Sequence, residues 1–409
     1  MKKVIALLLC AMMMFALIGC GGSSSDNQGS DPMPEPAPAP IPAQGNVKVG
    51  FIYLHDEQST YDLNFLEAAR IACDAAGVEH IDKTGIAEGN DCYEAAADLV
   101  DRGCTIVFAD SFGHEDYLIQ AAKEFPNVQF CHATGTQAHT ENLPNFHNAF
   151  AAIYEGRYLA GIAAGMKLNE MIAAGEFSED EASIGYIGAY PYAEVKSGYT
   201  SFFLGARSVC PSATMKVVFT NSWYDEALEK EGATRLIQAG CKLISQHADS
   251  MGAPSACESA GVPNVSYNGS TISACPNTFI VSSKINWVPY FTYIINCVQN
   301  GEPIATDWTG TIDTGSVELT ELNDKVAAKG TAEAIETAKA EMQAGKLRVF
   351  DTSTWTVDGN EMASYLADVD SDPAYTADTN VIFDGYFHES EFRSAPYFDL
   401  AIDGIEILD

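Results

Sequence analysis

Aromatic side chains accompanied by carboxylates and amides recur in this sequence directly after short apolar runs. The set comprises Tyr61, Asp62, Asn64, Asp110, Ser111, Phe112, Trp223, Asp225, Asp249 and Asn268. An aromatic ring offers a flat face on which another ring can stack. Carboxylates and amides select amines, ring nitrogens or hydroxyls, because a mismatched ligand leaves them unpaired. These residue types therefore predict binding of a planar, hydrogen-bonding heterocycle.

The same residues have an ordinary structural explanation, which stays open at this point. Asp, Asn and Ser are common N-caps of helices, so Asp62, Asp110 and Asp225 could serve that purpose. Tyr61 could equally be a packing residue. Trp223 is harder to explain in this way, because tryptophan is a poor loop filler.

No catalytic set is predicted. The eight histidines form no HExxH motif, and the chain has no Gly-x-Ser-x-Gly elbow. The absence of a CxxC pair argues against a zinc ribbon or a thioredoxin-like motif. We predict no catalytic residues, no metal site and no cofactor.

The elements that must position the polar and aromatic residues alternate between strand and helix. Residues 47–54 form an apolar run that suits a buried parallel strand. A polar loop over residues 55–60 leads to a helix that opens at Tyr61 and ends at Gly77. Ligands of open α/β sheets lie beyond the carboxyl ends of the strands, which is where this loop falls. The loop has no glycine or lysine, so it is not a phosphate cradle.

The alternation continues in two tandem runs, which predict two α/β lobes facing each other across a cleft. The further predicted strands cover residues 105–109, 128–131, 183–187, 215–219, 243–246, 264–267 and 278–282. The further predicted helices cover residues 92–102, 115–125, 150–168, 194–209, 226–239 and 332–344.

The first twenty residues are typical of a secretion signal. Lys2 and Lys3 precede a fifteen-residue apolar run, which is short for a bilayer span. The run ends in Leu17-Ile18-Gly19-Cys20, which resembles a bacterial lipobox and predicts that Cys20 is lipidated. A short membrane anchor with a chance cysteine is the alternative. Residues 21–46 are rich in Gly and Ser and then in Pro and Ala, which predicts a disordered tether.

Charge and cysteine usage limit the partners. The formal net charge of −34 disfavours binding to nucleic acid, and no basic stripe is present. A small neutral or cationic ligand is compatible with this charge, whose simplest role is solubility. Nine cysteines remain once Cys10 and Cys20 are set aside, so at least one is unpaired, and spacing does not reveal any pairing.

Four sequence motifs resemble the basic membrane protein (BMP) family of lipoproteins. They are FADSFG from Phe108, YEGRYLAG from Tyr154, IGYIGA from Ile184 with Pro191 and Glu194-Val195, and NSWYD from Asn221. Members are substrate-binding proteins of ABC transporters related to purine nucleoside receptor lipoproteins. The resemblance covers residues 47–350. It implies a type I periplasmic-binding-protein fold, in which two Rossmann-like lobes joined by three crossovers close on a purine nucleoside or nucleobase.

The resemblance also implies roles for individual residues. Tyr61 and Trp223 match the aromatics that sandwich the base, and residues near Asp62 and Asp110 would read its edge. The implied sugar candidates are Asp249, Asn268 and Lys284. Asn268 stands where members often carry aspartate, and Lys284 is offset by about one position, so a free base such as adenine is an alternative to a nucleoside.

The resulting domain prediction has five parts. They are a signal peptide (1–20), a tether (21–46), a first lobe (47–145 plus about 286–307), a second lobe (146–285 plus about 308–350) and a C-terminal extension of open placement (351–409). The helix over residues 287–300 is expected to pack on the first lobe, although it follows the second in sequence.

The predicted function is that of a monomeric, lipid-anchored solute-binding protein on the extracytoplasmic face of the cell membrane. It would deliver a purine nucleoside or nucleobase to an ABC permease and its ATPase. One alternative is a surface adhesin or signalling receptor on the same bilobed fold. A second is a nucleoside-processing enzyme that uses the carboxylates after the strands, which ligand turnover would reveal.

Overall fold

The computed structural model of the protein describes residues 46–369 and 379–408. The predicted signal peptide, the lipidated Cys20 and the tether up to residue 45 lie outside the described residues. The strands are β1 (Lys48–Ile52), β2 (Glu79–Lys83), β3 (Ile106–Ala109), β4 (Gln129–Ala133), β5 (Phe146–Ala151), β6 (Ser183–Gly188), β7 (Thr214–Phe219), β8 (Leu243–His247), β9 (Asn264–Tyr267), β10 (Phe279–Ile285), β11 (Asp307–Gly310), β12 (Val317–Leu319), β13 (Leu366–Ala367), β14 (Thr379–Asn380), β15 (Ile382–Phe383), β16 (Tyr386–Phe387) and β17 (Ile405–Ile407).

Helices alternate with these strands over most of the chain. They are α1 (Thr60–Ala76), α2 (Asn90–Asp101), α3 (Glu115–Glu124), α4 (Ala138–Glu141), α5 (Ile153–Ala173), α6 (Ala193–Val209), α7 (Glu226–Gln238), α8 (Gly252–Ala260), α9 (Val288–Asn300) and α10 (Thr331–Gln343), with short 3-10 turns at Phe112–His114 and Glu179–Glu181. None of the helices in the described ranges has both the length and the apolar character needed to cross a bilayer.

Two large sheets organise the fold. The first is fully parallel in the order β11-β5-β4-β3-β1-β2. The second has the order β12-β10-β9-β8-β6-β7-β17, in which only β12 runs antiparallel to its neighbour. Strands buried on both faces carry continuous apolar runs, as Val49, Phe51 and Ile52 of β1 show. The predicted α/β fold with two parallel sheets is therefore confirmed.

Helix α1 shows why the first loop and helix form where they do. The Ser59 side chain accepts a hydrogen bond from the Asp62 backbone N–H and caps the helix (3.2 Å). Gly77 ends it in the left-handed region (φ 65°), which lets Val78 N–H reach the carbonyl of Cys73 (3.0 Å). This cap places Tyr61 in the first turn of α1, at the edge of the cleft.

Helix α9 returns to the first sheet after the second has been built. The ring of Trp287, at its N-terminus, stacks on Phe65 of α1 (4.5 Å between centroids). Phe291 of α9 contacts Phe51 of β1 edge-on (5.0 Å). The helix over residues 287–300 therefore packs against α1 and β1 of the first sheet.

The sheet boundaries differ from the predicted lobe boundaries. Strand β5 pairs with β4 and β11 in the first sheet, so the first lobe does not end at residue 145, and α5 begins at Ile153 rather than at residue 150. His147 and Asn148 obscured this strand, because polar residues inside a buried strand break its apolar pattern. Strand β11 likewise carries the first sheet to Gly310, beyond the predicted limit at residue 307.

Three crossings join the sheets, after β5, after β10 and after β11. They are bonded to one another: Ala152 N–H donates to the carbonyl of Gly310 (2.7 Å), and Asn286 N–H donates to that of Ser316 (2.8 Å). Strand β17, in the C-terminal extension, pairs in parallel with β7 of the second sheet.

Candidate functional site

A cavity of about 380 Å³ lies between loops that follow strands of both sheets. Its lining residues are Leu54, His55, Tyr61, Ser111, Phe112, Thr134, Glu194, Trp223, His247, Asp249 and Tyr267. The site therefore forms where the carboxyl ends of two parallel sheets face each other.

The cavity brings together five of the residues singled out from sequence. Tyr61, Ser111 and Phe112 come from the first sheet's loops, and Trp223 and Asp249 come from the second sheet's loops. The remaining predicted ligand-binding residues are not among its lining residues: Asp62, Asn64, Asp110, Asp225, Asn268 and Lys284.

The side chain of Tyr61 is held in place by contacts on the side away from the cavity. Its hydroxyl donates a hydrogen bond to the carbonyl oxygen of Asp110 (2.7 Å), and its ring meets Phe65 edge-on at 4.9 Å. Burial, followed by the nearby Asp110 carboxyl, raises the pKa of Tyr61 well above its usual value. The ring is therefore neutral and anchored at its hydroxyl.

Trp223 stands in the turn between β7 and α7. Asn221 adopts a left-handed conformation there (φ 55°), which Asn tolerates better than most residues. The carbonyl of Trp223 accepts a hydrogen bond from Asp249 N–H (3.0 Å), and its ring meets Tyr190 edge-on at 5.1 Å. Backbone and ring contacts together hold Trp223 against the cavity.

Asp62 and Asp110 lie behind the cavity wall, so the prediction that they read a ligand edge is not supported by their placement. The Asp62 carboxylate accepts hydrogen bonds from His55 N–H (2.8 Å) and the Ser59 hydroxyl (2.5 Å). Burial opposes ionisation of Asp62, but these bonds hold its pKa below the usual value. One Asp110 oxygen accepts from Leu54 N–H (3.1 Å), and the other has no partner. Burial and the neighbouring Asp62 raise the pKa of Asp110 well above its usual value.

Other predicted site residues join the two lobes. Asn64 donates from Nδ2 to the carbonyl of Asn268 (2.9 Å), and Thr60 N–H donates to the carbonyl of Asp249 (3.1 Å). Each bond runs from α1 in the first lobe to a loop of the second, so the structure shows the lobes closed. Burial, followed by the charge of Asp62, raises the pKa of Asp249 well above its usual value.

Asp225 and Lys284 have structural rather than site positions. The Asp225 carboxylate caps α7 by accepting from Ala227 and Leu228 N–H (3.0 and 2.9 Å). Lys284 lies 3.8 Å from Glu318 across the β10–β12 pair, with its side chain 30% exposed. The N-cap explanation therefore holds for Asp225, and Lys284 does not reach the cavity.

A buried cluster in the second lobe was not predicted as part of the site. Nε2 of His247 lies 3.3 Å from the Glu194 carboxylate, and the His247 ring is 4.4 Å from that of Tyr267. The Arg157 guanidinium lies over Tyr267, 4.8 Å from the ring centroid. Burial lowers the pKa of His247 despite the Glu194 carboxylate. Glu194 and Arg157 stand in motifs that the sequence already marked, but only the fold shows that they converge.

The titratable groups that the structure describes form no cluster suited to a metal ion. Within residues 46–369 and 379–408, no group of three or more His, Cys, Asp or Glu side chains is placed to hold an ion. The nine cysteines of these ranges are all buried and unpaired. The cavity is a narrow slot lined by aromatic rings, hydroxyls, two imidazoles and carboxyl groups.

Comparison with known proteins agrees with this geometry. The model of the Bmp family, described as ABC transporter substrate-binding protein PnrA-like, matches residues 61–346. A purine-binding protein of Brucella abortus (strain 2308) is 31% identical over 347 residues, which cover 80% of this chain and 94% of that protein. A Haloferax volcanii protein, whose name provisionally assigns it to glucose binding for an ABC transporter, is 31% identical over 275 residues, 65% of this chain and 66% of that protein.

A solved structure shares the fold. The ABC transporter solute-binding protein from Conexibacter woesei superimposes with a TM-score of 0.60 at 20% identity, covering 74% of this chain and 98% of its own. This likeness shows that the two chains share the same α/β fold.

Proposed function

Because the chain belongs to the Bmp family of ABC transporter substrate-binding proteins, we propose that it captures a purine outside the cytoplasm and delivers it to an ABC permease. The observation that carries the proposal is the placement of Tyr61 and Trp223. One comes from each lobe, and both line the same cavity. Base–aromatic stacking tolerates any flat heterocycle, while the polar lining selects its edge. The purine-binding relative from Brucella abortus supports this ligand class.

Within the purines, the contacts favour a free base over a nucleoside. A sugar would need polar partners beyond the stacked ring, and Lys284 is engaged with Glu318 away from the cavity. The carbonyls of Asp249 and Asn268 already accept hydrogen bonds from the first lobe. Closure therefore occupies the backbone carbonyls of two of the three residues that the resemblance implies for the sugar.

Calorimetry of adenine, adenosine, guanosine, inosine and glucose tests the ligand class. We expect adenine to bind most tightly. Base–aromatic stacking is worth roughly 1–3 kcal/mol per base by alanine substitution, so Tyr61→Ala and Trp223→Ala should each weaken binding by about fivefold to over a hundredfold. Lys284→Ala is the matched control and should leave the affinity unchanged. Tight glucose binding without purine binding would refute the purine assignment.

Membrane attachment is a separate part of the proposal. The lipobox supports acylation of Cys20, which would tie the protein to the outer side of the cell membrane. Cys20→Ala should release the protein from the membrane fraction without changing ligand affinity. A Cys20→Ala protein that still fractionates with membranes in its mature form would rule out this anchor.

A further inference from the structure

Two large aromatic side chains at the edge of the cavity are unusually exposed for their size. Phe112 is 41% exposed and Tyr192 is 43% exposed. Phe112 stands in the 3-10 turn after β3 of the first sheet, and Tyr192 immediately precedes α6, after β6 of the second. Their ring centroids lie 5.4 Å apart at an interplanar angle of 36°. These two residues, here called the rim pair, therefore make a contact that exists only while the lobes are closed.

The rim pair is connected to the ring of Trp223. Tyr192 stacks on Tyr190 with centroids 5.1 Å apart and planes 10° apart, and Tyr190 meets Trp223 edge-on at 5.1 Å. Tyr192 also lies 6.1 Å from Trp223. Phe112 and Trp223 both line the cavity, whereas Tyr192 does not. A continuous row of rings thus runs from the first lobe to the aromatic wall of the site.

Phe112, the first-lobe member of the rim pair, stands in a turn that the Glu88 carboxylate holds in place. Glu88 Oε1 accepts hydrogen bonds from the Ser111 hydroxyl (2.6 Å) and from Gly113 N–H (2.9 Å), on either side of Phe112. The ring is therefore presented toward the second lobe by a fixed turn. A second ring contact between the lobes, His55 with Tyr224 (5.4 Å), does not involve the rim pair.

From this arrangement we infer that the rim pair is a latch that holds the lobes closed over the ligand. The identity of the ligand in this inference rests on the proposed function, whereas the mechanism of the latch does not depend on it. Opening separates the two rings and returns their facing surfaces to water, so the pair stabilises the closed form whatever ligand is bound. A contact made only after closure slows ligand release more than it changes capture.

The test measures ligand release. Aromatic pairs contribute about 0.5–1.5 kcal/mol beyond their burial, so Tyr192→Leu should raise the dissociation rate of adenine about twofold to over tenfold. The association rate should stay within twofold. Tyr192→Phe keeps the ring and should behave as the wild type. Phe392→Leu is the matched control, because Phe392 is a similarly exposed ring (38%) outside the cavity.

A double-mutant cycle separates the latch from direct ligand contact. Phe112→Leu removes both a cavity-lining residue and one ring of the rim pair. Once one ring of the pair is absent, the contact between the lobes no longer exists, so removing the second ring has no further contact to break. Adding Tyr192→Leu to Phe112→Leu should therefore accelerate release by less than twofold. Full multiplication of the two single effects, or no effect of Tyr192→Leu on release, would overturn the latch.

Small-angle scattering of the same proteins, with and without adenine, separates the two proposals. We expect the closed, more compact population to be smaller in Tyr192→Leu than in the wild type. If the wild type binds none of the purines, the purine assignment is overturned. If the Tyr192→Leu protein is nevertheless less compact than the wild type, the latch is retained. Identical scattering of the two proteins, whether both are open or both are closed, would overturn the latch.

Discussion

Asp62 and Asp110 are neighbouring buried carboxyl groups whose surroundings push them toward opposite protonation states. Asp62 receives hydrogen bonds that favour its anion, whereas Asp110 accepts only one and faces that anion. The pKa of Asp62 is lowered and the pKa of Asp110 is raised, so Asp110 is the member of the pair that holds a proton more readily. The carbonyl of Asp110 in turn holds the hydroxyl of Tyr61, so this pair supports the stacking wall without touching the cavity.

Asp110→Asn should therefore change the pH dependence of stability more than it changes ligand binding. A carboxyl whose folded pKa is raised contributes stability below its unfolded pKa, near 3.8, and that contribution is lost as pH rises toward the folded pKa. Asparagine imitates the protonated acid at every pH. The variant should gain stability relative to the wild type as pH rises from about 4 to 8, measured by urea denaturation. A constant difference across that range would contradict the assignment.

The sequence could predict the two rings of the site better than its carboxylates. Tyr61 and Trp223 follow strand ends, and few structural roles suit a tryptophan in such a loop. Asp62 and Asp225 follow strand ends too, but short carboxylates satisfy helix N-termini equally well. Whether such a group caps its own helix or faces a ligand depends on contacts several residues away. The sequence pattern does not contain that information.

Helices α5 and α6 pack so closely in the second lobe that glycines at their contact have no room for a side chain. A Cβ on Gly161 of α5 would overlap the carbonyl oxygen of Phe202 in α6, and a Cβ on Gly205 of α6 would overlap that of Tyr158. A backbone carbonyl cannot relieve such an overlap by changing its rotamer, as a side chain can. The two helices form the support beneath Arg157, which reaches the ring of Tyr267 at the cavity.

Gly161→Ala should therefore destabilise the protein by about 1–3 kcal/mol or more, because α6 must move as a unit. Gly232→Ala is the matched control in α7. Its new Cβ would find its nearest neighbour, a Val218 methyl, at 3.3 Å. Alanine also favours the helix over glycine by up to about 1 kcal/mol. Chemical denaturation of both variants checks the difference, and equal stabilities would contradict the packing explanation.

The sequence pattern predicts some elements of the fold and misses others, and the difference has physical reasons. Strand β1 and helix α1 stood out because an apolar run, a cap and a stop glycine agree. Strand β2, with the sequence EHIDK, lies at a sheet edge and carries mostly polar residues, so it has no apolar signature. Strand β17 pairs through its backbone with β7, some 190 residues earlier. Pairing at that separation leaves no local pattern.

At the scale of the whole molecule, the C-terminal extension is part of the core. Phe398 is fully buried and stacks on Phe350 at 4.5 Å. The extension also joins the two lobes: Ser394 N–H donates to Asp307 of β11 (2.8 Å), while Glu389 accepts from Ser197 of α6. It lies outside residues 61–346, where the family model matches.

Phe398→Ala should cost about 3–5 kcal/mol of unfolding free energy, as expected for a large aromatic removed from a packed core. Phe392→Ala, in the same extension but exposed, should stay within about 0.5 kcal/mol. Urea denaturation monitored by circular dichroism compares the two. Similar small losses in both variants would mean that the extension is an appendage rather than part of the folding unit.

The nine buried thiols have a consequence for how the protein reaches its working state. Burial raises the pKa of Cys104 to about 11 and of Cys73 and Cys131 to about 12, so these three thiols stay protonated in the folded chain. Substrate-binding proteins of ABC transporters work outside the cytoplasm, where oxidants can reach a newly exported chain. Free, buried thiols in the native protein therefore require that folding be faster than thiol oxidation of the unfolded chain.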